Sequence, residues 1–330
     1  MRNFATGCIV LFTMAGTAFG ETKEPPKKLA ADLGGGVKME LVLIPAGEFK
    51  MGSAESAEDT AAFFNKTYAE DFLKADFFKD EHPQHRVRIT KPFYLGTYHV
   101  TRGQFRQFVA DAGYKTDAEK GELPGAWGWD PDNKQLAFNA KYSWRDPGFE
   151  QTDDHPVVEI DHNDASAFCQ WLGEKEKRRY HLPTEAQWEY ACRAGTQTAY
   201  FWGNDADAGK GFANCFDWAA KEKLPVLNSF NWSDGFVYTS PVGSFKPNAW
   251  GLYDMIGNAL EWCADYYAPY PPGDEVDPTG PAQGDEKLSR VLRGGSWFYT
   301  APFCRAAYRA KNAPGARYFD FGFRVALDVP

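Results

Sequence analysis

The residues of this sequence that are best suited to chemistry are its cysteines, together with a serine near one of them. Five cysteines follow Cys8, and they are Cys169, Cys192, Cys215, Cys263 and Cys304. Thiolates act as nucleophiles, form disulfides and bind soft metal ions. Because their number is odd, at most two bridges can form within this set, so at least one thiol is free or pairs outside the chain. Ser296 precedes Cys304 in a Gly-Gly-Ser-Trp segment.

Several other chemistries lack the residue patterns that they need. The six histidines include one close pair, His82 and His85, and no carboxylate arrangement near it indicates a facial iron site. We find no Ser-His-Asp order, no zinc-ligand spacing and no phosphate-binding glycine loop. A net charge of −9 and a pI near 5.3 argue against nucleic acid as the partner, because phosphate binding needs clustered Lys and Arg.

The first 20 residues have the pattern of a secretory signal. Arg2 gives a positive start, Cys8–Phe19 form an apolar run, and small residues precede a predicted cut after Gly20. We therefore expect export, to the periplasm or as a secreted protein. The Pro-, Lys- and Gly-rich residues 21–36 are interpreted as a linker and residues 37–330 as one domain, with no stretch long enough to span a membrane.

Local patterns predict strands and helices in the first half of the domain. Three runs are interpreted as strands: Leu41–Phe49, Val87–Ile89 and Phe93–Val100. Thr101 with Gln104 and Thr184 with Gln187 predict two capped helices, and a further helix is expected from Asp164 to Glu176. After Arg193 the chain has few periodic segments. The sequence predicts an α+β fold with little regular structure and long ordered loops, whose entropic cost bound metal ions can offset.

Five segments carry a family resemblance. They are Ile44–Ser53 (IPAGEFKMGS), Leu182–Arg193 (LPTEAQWEYACR), Gly251–Trp262 (GLYDMIGNALEW), Arg293–Trp297 (RGGSW) and Gly322–Arg324 (GFR). In this order and spacing they resemble the formylglycine-generating enzyme, or sulfatase-modifying factor, family. That resemblance implies a distorted C-type-lectin-like fold, which agrees with the predicted loop-rich domain.

The resemblance also implies two structural calcium ions. The first would be held by the side chains of Asp254 and Glu261 and the carbonyl groups of Gly257 and Ala259. The second would be held by the side chains of Asn214 and Asp234 and the carbonyl groups of Cys215 and Phe236. Calcium prefers such oxygen ligands. Asn and Asp in glycine-rich loops also bond their own backbone, which is the alternative interpretation of both groups.

In the same family, two cysteines after the Gly-Gly-Ser segment bind Cu(I), and a substrate cysteine joins them before it is oxidised to formylglycine. Ser296 and Cys304 match that pattern and are the predicted catalytic residues. Tyr299 stands where the other copper cysteine is expected. A tyrosine is a poor ligand for a soft ion, so the resemblance leaves one thiolate missing, and Cys263 is a candidate to approach in space. The alternative for Cys304 is a small buried residue or a disulfide partner.

Two classes of function remain open from the sequence. The first is an exported oxidoreductase that acts on a cysteine or another side chain of a secreted protein or peptide. The second is a non-catalytic, calcium-braced module that binds a protein or peptide. Retention of Ser296 and Cys304 favours the enzyme, whereas Tyr299 favours the binding module.

Overall fold

Short strands joined by long loops make up most of the structure. A computed structural model describes residues 25–68, 71–120, 124–130, 132–133, 135–224, 229–283 and 288–329, so the predicted signal peptide lies outside the described residues. The strands are β1 (Lys28–Gly34), β2 (Val37–Ile44), β3 (Gly47–Met51), β4 (His85–Ile89), β5 (Phe93–Gly96), β6 (Ala126–Asp130), β7 (Gln135–Asn139), β8 (Tyr180–His181), β9 (Leu260–Tyr266), β10 (Glu275–Val276), β11 (Arg290–Arg293), β12 (Ala310–Asn312), β13 (Phe321–Gly322) and β14 (Ala326–Asp328). The helices are α1 (Ala57–Tyr68), α2 (Arg102–Ala112), α3 (His162–Glu176), α4 (Glu185–Arg193) and α5 (Trp218–Lys223).

The strands of the described chain are arranged in four small sheets. The largest has the order β1-β2-β5-β14-β8, so the last described strand lies between β5 and β8. A second sheet has the order β12-β11-β9-β13, a third has β10-β4-β3, and β6 pairs with β7. The second sheet matters for function because β9 and β11 carry two of the five motifs into the core.

The capped helices begin where the sequence predicts them. Thr101 and Gln104 form both hydrogen bonds of a capping box at the start of α2, and Thr184 and Gln187 do the same for α4. The middle helix, α3, begins slightly earlier than predicted because Asp161 caps it. Helix α1 has no counterpart among the predicted elements. The run predicted as one strand from Leu41 to Phe49 divides into β2 and β3.

The segment interpreted as a linker, residues 21–36, contains strand β1 instead. Residues 28–34 pair antiparallel with β2, and the side chains of Ala31 and Leu33 are fully buried. The turn between the strands uses Gly35 and Gly36, which adopt the positive φ angles that glycine tolerates. The prediction was wrong because an alternating Leu-Ala-Leu pattern is weak on its own and becomes a strand only when a partner pairs with it.

Most large apolar side chains lie in two buried clusters. One surrounds Trp188 and Met255 and includes α4, and the other surrounds Phe168 and Trp262 and includes α3. Cys169, Cys192, Cys215, Cys263 and Cys304 are all buried, and none of these five forms a disulfide. No helix within the described ranges is long and apolar enough to cross a bilayer.

Candidate active site and metal sites

Four arginines in the C-terminal part of the chain are buried, and each pairs with a buried glutamate far away in sequence. The pairs are Arg293–Glu189, Arg305–Glu81, Arg309–Glu185 and Arg324–Glu261. Removing one partner of such a pair leaves an uncompensated charge and costs about 3–5 kcal/mol. Three of these pairs hold the C-terminal part of the chain against α4 and β9, and the fourth holds it against Glu81.

Ser296 lies in a tight loop that follows β11. Gly294 and Gly295 adopt φ angles of 99° and 69°. A Cβ atom on Gly295 would lie 2.7 Å from the Cys304 Sγ atom, so a larger residue does not fit there. The loop turns Ser296 inward, where its hydroxyl donates a hydrogen bond of 2.7 Å to the Asp320 carboxyl group. The predicted catalytic serine is thus buried, and its hydroxyl is hydrogen-bonded to Asp320.

Asp320 is a functional candidate that the sequence did not reveal, although it lies just before the Gly-Phe-Arg motif. Burial raises its pKa to about 7, and the hydrogen bond from Ser296 opposes that rise. Burial and the charge of Asp320 also raise the pKa of Glu159, whose two carboxyl oxygens have no hydrogen-bond partner. Perturbed carboxyl groups at a cavity are typical of functional sites.

Asp320 lines an aromatic pocket of about 450 Å³ at the Ser296–Cys304 segment. Six of the lining residues are Phe298, Tyr299, Phe303, Tyr308, Tyr318 and Phe319. Phe72 and Phe77 stand at the rim, with 49% and 46% of their surfaces exposed. Such a lining binds apolar and aromatic groups by burial and ring contacts, while a single carboxyl group can orient a polar atom.

Cys304 lies next to this pocket but does not line it. Its side chain is fully buried, and its thiol donates a hydrogen bond of 3.4 Å to the Tyr299 carbonyl oxygen. The Tyr299 side chain lines the pocket. The residue that replaces the expected copper cysteine therefore stands between the pocket and the remaining thiol.

A second thiol lies against Cys304, and it is not that of Cys263. The Cys263 thiol contacts the Glu261 carbonyl oxygen at 3.9 Å. The neighbour is Cys215, whose pKa is raised by burial and by the nearby Cys304 thiol. The residue after it, Phe216, donates its N–H to the same Tyr299 carbonyl oxygen that accepts the Cys304 thiol. The sequence predicts Cys215 only as a carbonyl ligand of calcium, because nothing local in it indicates that the thiol faces Cys304.

The residues of the first predicted calcium group lie close together, but the Glu261 carboxylate already accepts hydrogen bonds from protein side chains. Glu261 accepts hydrogen bonds of 2.7 Å from Arg324 on each oxygen, and one of 2.8 Å from Trp188 Nε1. Asp254 accepts the Gly243 N–H at 2.7 Å through Oδ2, while its buried Oδ1 has no partner. The guanidinium group neutralises the charge that would otherwise attract a cation.

His99 contacts two of the same predicted ligands. Its Nε2 atom lies 2.9 Å from the Ala259 carbonyl oxygen and 3.1 Å from a Glu261 carboxylate oxygen. Both neighbours are acceptors, so Nε2 carries the proton. The Gly257 carbonyl oxygen, another predicted ligand, accepts the Ala259 N–H at 2.9 Å. These contacts fit an imidazole between the predicted ligands better than they fit calcium.

The second predicted calcium group fits a cation better. The Asn214 Oδ1 atom is buried without a hydrogen-bond partner. The Asp234 carboxyl group accepts N–H groups of Cys215 at 3.1 Å and Phe236 at 2.8 Å, and the Asp234 N–H donates to the Asp217 carboxyl group. Burial and the charge of Asp217 raise the pKa of Asp234. A hard cation would compensate the charges of these two neighbouring carboxyl groups and bind the unpaired amide oxygen.

Protein side chains alone do not complete that site. Within the described ranges, no group of three or more His, Cys, Asp or Glu side chains surrounds a common metal position. A cation beside Asn214 and Asp234 would therefore also need carbonyl oxygens, as the family resemblance implies for Cys215 and Phe236. Asp217 is an additional carboxylate that the sequence analysis missed, since its position before α5 indicates only a helix cap.

The fold and this site define a class of protein: a loop-rich α+β scaffold with an aromatic pocket beside a Gly-Gly-Ser loop. The sulfatase-modifying factor enzyme 1-like domain family matches residues 34–329. The chain belongs to this formylglycine-generating enzyme family.

Individual relatives agree with that assignment. A formylglycine-generating enzyme from Bos taurus is 35% identical over 313 residues, covering 88% of this chain and 75% of the relative. A Bos taurus protein named inactive C-alpha-formylglycine-generating enzyme 2 is 30% identical and covers 89% and 90%. The structure of PvdO from Pseudomonas aeruginosa has a TM-score of 0.67 and 29% identity, covering 93% of this chain and all of that one.

Proposed function

We propose that this protein is an exported oxidoreductase of the formylglycine-generating type, which acts on a cysteine or another side chain of a secreted protein or peptide. The observation that carries the proposal is the aromatic pocket at the Ser296–Cys304 segment, with the buried acid Asp320 in its wall. Substrate residues would enter beside the exposed Phe72 and Phe77.

Each part of the pocket has a task that its chemistry supports. The aromatic wall binds an extended peptide by burying apolar groups and excludes water from the reacting side chain. Asp320, with its pKa raised to about 7 by burial, can hold or give up a proton near neutral pH. Ser296 donates to the Asp320 carboxyl group and holds its orientation.

The family's metal ions enter the proposal in two ways. Calcium beside Asn214 and Asp234 would brace the loop that carries Cys215. Copper(I), when bound, would activate dioxygen. Conversion of a cysteine side chain to an aldehyde releases hydrogen sulfide and water. The cysteine supplies two of the four electrons that reduce dioxygen, and an external thiol reductant supplies the other two. Cys304 is the family-matched residue available to hold copper.

A non-catalytic peptide-binding module is the second candidate. Two observations favour it: Tyr299 stands at the position of a copper cysteine, and the Cys304 thiol is sealed from the pocket. The same aromatic pocket would then retain a peptide without changing it.

The test uses purified protein supplied with Cu(I), oxygen and a thiol reductant, and a library of peptides that each contain one cysteine among varied aromatic residues. The enzyme proposal expects aldehyde products by mass spectrometry after hydrazide capture. Phe77→Ala should weaken the reaction, whereas Phe63→Ala, similarly exposed but outside this pocket, should not. Peptides that bind in a Phe77-dependent way without any mass change would establish the binding module instead.

A further inference from the structure

Two buried thiols from distant parts of the chain meet behind the pocket. Cys215 lies in the loop after the Asn214 position, and Cys304 ends the short 3-10 turn Ala301–Phe303. Their side chains lie in the same buried cluster, where burial and the neighbouring Cys304 thiol raise the pKa of Cys215. The Tyr299 carbonyl oxygen joins the two segments, because it accepts the Phe216 N–H at 3.0 Å and the Cys304 thiol at 3.4 Å.

The backbone around the two sulfur atoms leaves them little freedom. A Cβ atom added to Gly295 would lie 2.7 Å from the Cys304 sulfur, and one added to Gly257 would lie 2.9 Å from the Cys215 sulfur. The two glycine loops are themselves joined, since the Gly257 N–H donates to the Gly294 carbonyl oxygen at 2.9 Å. Motif glycines in the loops before β9 and after β11 thus lie directly against both sulfur atoms.

We propose that Cys215 and Cys304 together form a two-thiolate site for Cu(I). Cys215 supplies the second thiolate, because Tyr299 occupies the position of the expected copper cysteine. Soft thiolates select Cu(I), and two of them satisfy an ion that accepts low coordination. A hard cation would not remain there, because it needs several oxygen ligands. Binding breaks two S–H bonds and forms two Cu–S bonds, releases both protons to solvent, and changes no oxidation state.

The buried setting fits this assignment. Both thiols are fully buried, so a metal ion that binds there must compensate the charge of each thiolate. The Cys215 N–H donates to Asp234, so the loop that carries this thiol is also the loop of the second predicted calcium group. Tyr299 separates the site from the aromatic pocket, so metal binding and peptide binding are separately measurable.

The test is an anaerobic Cu(I) titration of the reduced protein in competition with a chromogenic chelator. We expect one tightly bound Cu(I) per chain, with two sulfur ligands by X-ray absorption. Cys215→Ser and Cys304→Ser should each weaken binding by more than about a hundredfold, beyond the roughly 10- to 100-fold typical of changes outside the ligand shell. Cys169→Ser and Cys263→Ser, which also replace buried cysteines, should bind as the unmodified protein does.

Two results would overturn the assignment. One is a Cys215→Ser protein that is folded by its melting curve and binds Cu(I) as tightly as the unmodified protein. The other is an unmodified, fully reduced protein that binds no Cu(I). Because the readout is binding, a protein that binds Cu(I) but oxidises no peptide would refute the proposed function and leave this site standing.

Discussion

Arg324 and Glu261 are joined by two buried hydrogen bonds of 2.7 Å, one to each carboxylate oxygen. Trp188 donates a third to the same carboxylate, so a residue that the family resemblance assigns to calcium has its charge and lone pairs engaged by the protein. The Glu261 side chain therefore braces β9 against the C-terminal motif. Its contribution to stability should not depend on calcium.

Substituting Glu261 tests that statement. Glu261→Ala should lower the free energy of unfolding by about 3–5 kcal/mol, because it leaves the Arg324 charge buried without a partner. Denaturant unfolding should give the same loss with calcium and with chelator. Glu58→Ala, on the exposed face of α1, is the control and should change little. A loss of stability that disappears in chelator would show instead that Glu261 binds calcium.

The second calcium group should respond to calcium directly. We expect chelation to lower the melting temperature of the protein, because an ion at 100 times its Kd adds about 2.7 kcal/mol to the folded state. Asp234→Asn should remove most of that sensitivity, whereas Asp71→Asn on the surface should retain it. Identical melting curves in calcium and chelator would eliminate this site.

Asp320 should give the protein a measurable pH dependence. Its pKa is about 7 in the fold and near 3.8 in the unfolded chain, so the folded state keeps a proton that the unfolded state loses. Stability from this group is complete below about pH 4 and is lost as the pH rises to about 7. Asp320→Asn should therefore match the unmodified protein at low pH and exceed its stability by up to about 4 kcal/mol above pH 7.

The measurement for Asp320 is urea unfolding across that pH range. Asp132→Asn, at an exposed position, is the control and should follow the unmodified protein throughout. If Asp320→Asn follows it too, Asp320 is ionised in the fold and does not hold a proton at neutral pH.

A sulfatase-type peptide should be a poor substrate. We expect little formylglycine from a Cys-x-Pro-x-Arg peptide, because Tyr299 lines the pocket and separates a bound peptide from Cys304, which lies behind it. Tyr299→Cys should raise both Cu(I) affinity and conversion, measured by chelator competition and mass spectrometry. Tyr308→Cys, in the same pocket, is the control and should improve neither. Efficient conversion by the unmodified protein would show that Tyr299 does not block this chemistry.

The sequence by itself predicted the features that depend on neighbours within one or two helical turns. The capping boxes at Thr101 and Thr184 are complete because each threonine, whose hydroxyl accepts the glutamine N–H, lies three positions before its glutamine. The inward face of α3, with Phe168 and Cys169, follows from helical periodicity. The ordered motifs were likewise sufficient for the family.

Tertiary structure decided which of the reactive residues meet. Strand β1 needed β2 as a partner before its weak alternation had meaning. Cys215 reaches Cys304, and Arg324 reaches Glu261, only because left-handed glycines such as Gly257 and Gly295 turn long loops back on each other. The direction of a loop is the sum of many backbone angles and carries no periodic signal, so contacts between distant loops are determined when the chain packs and not before.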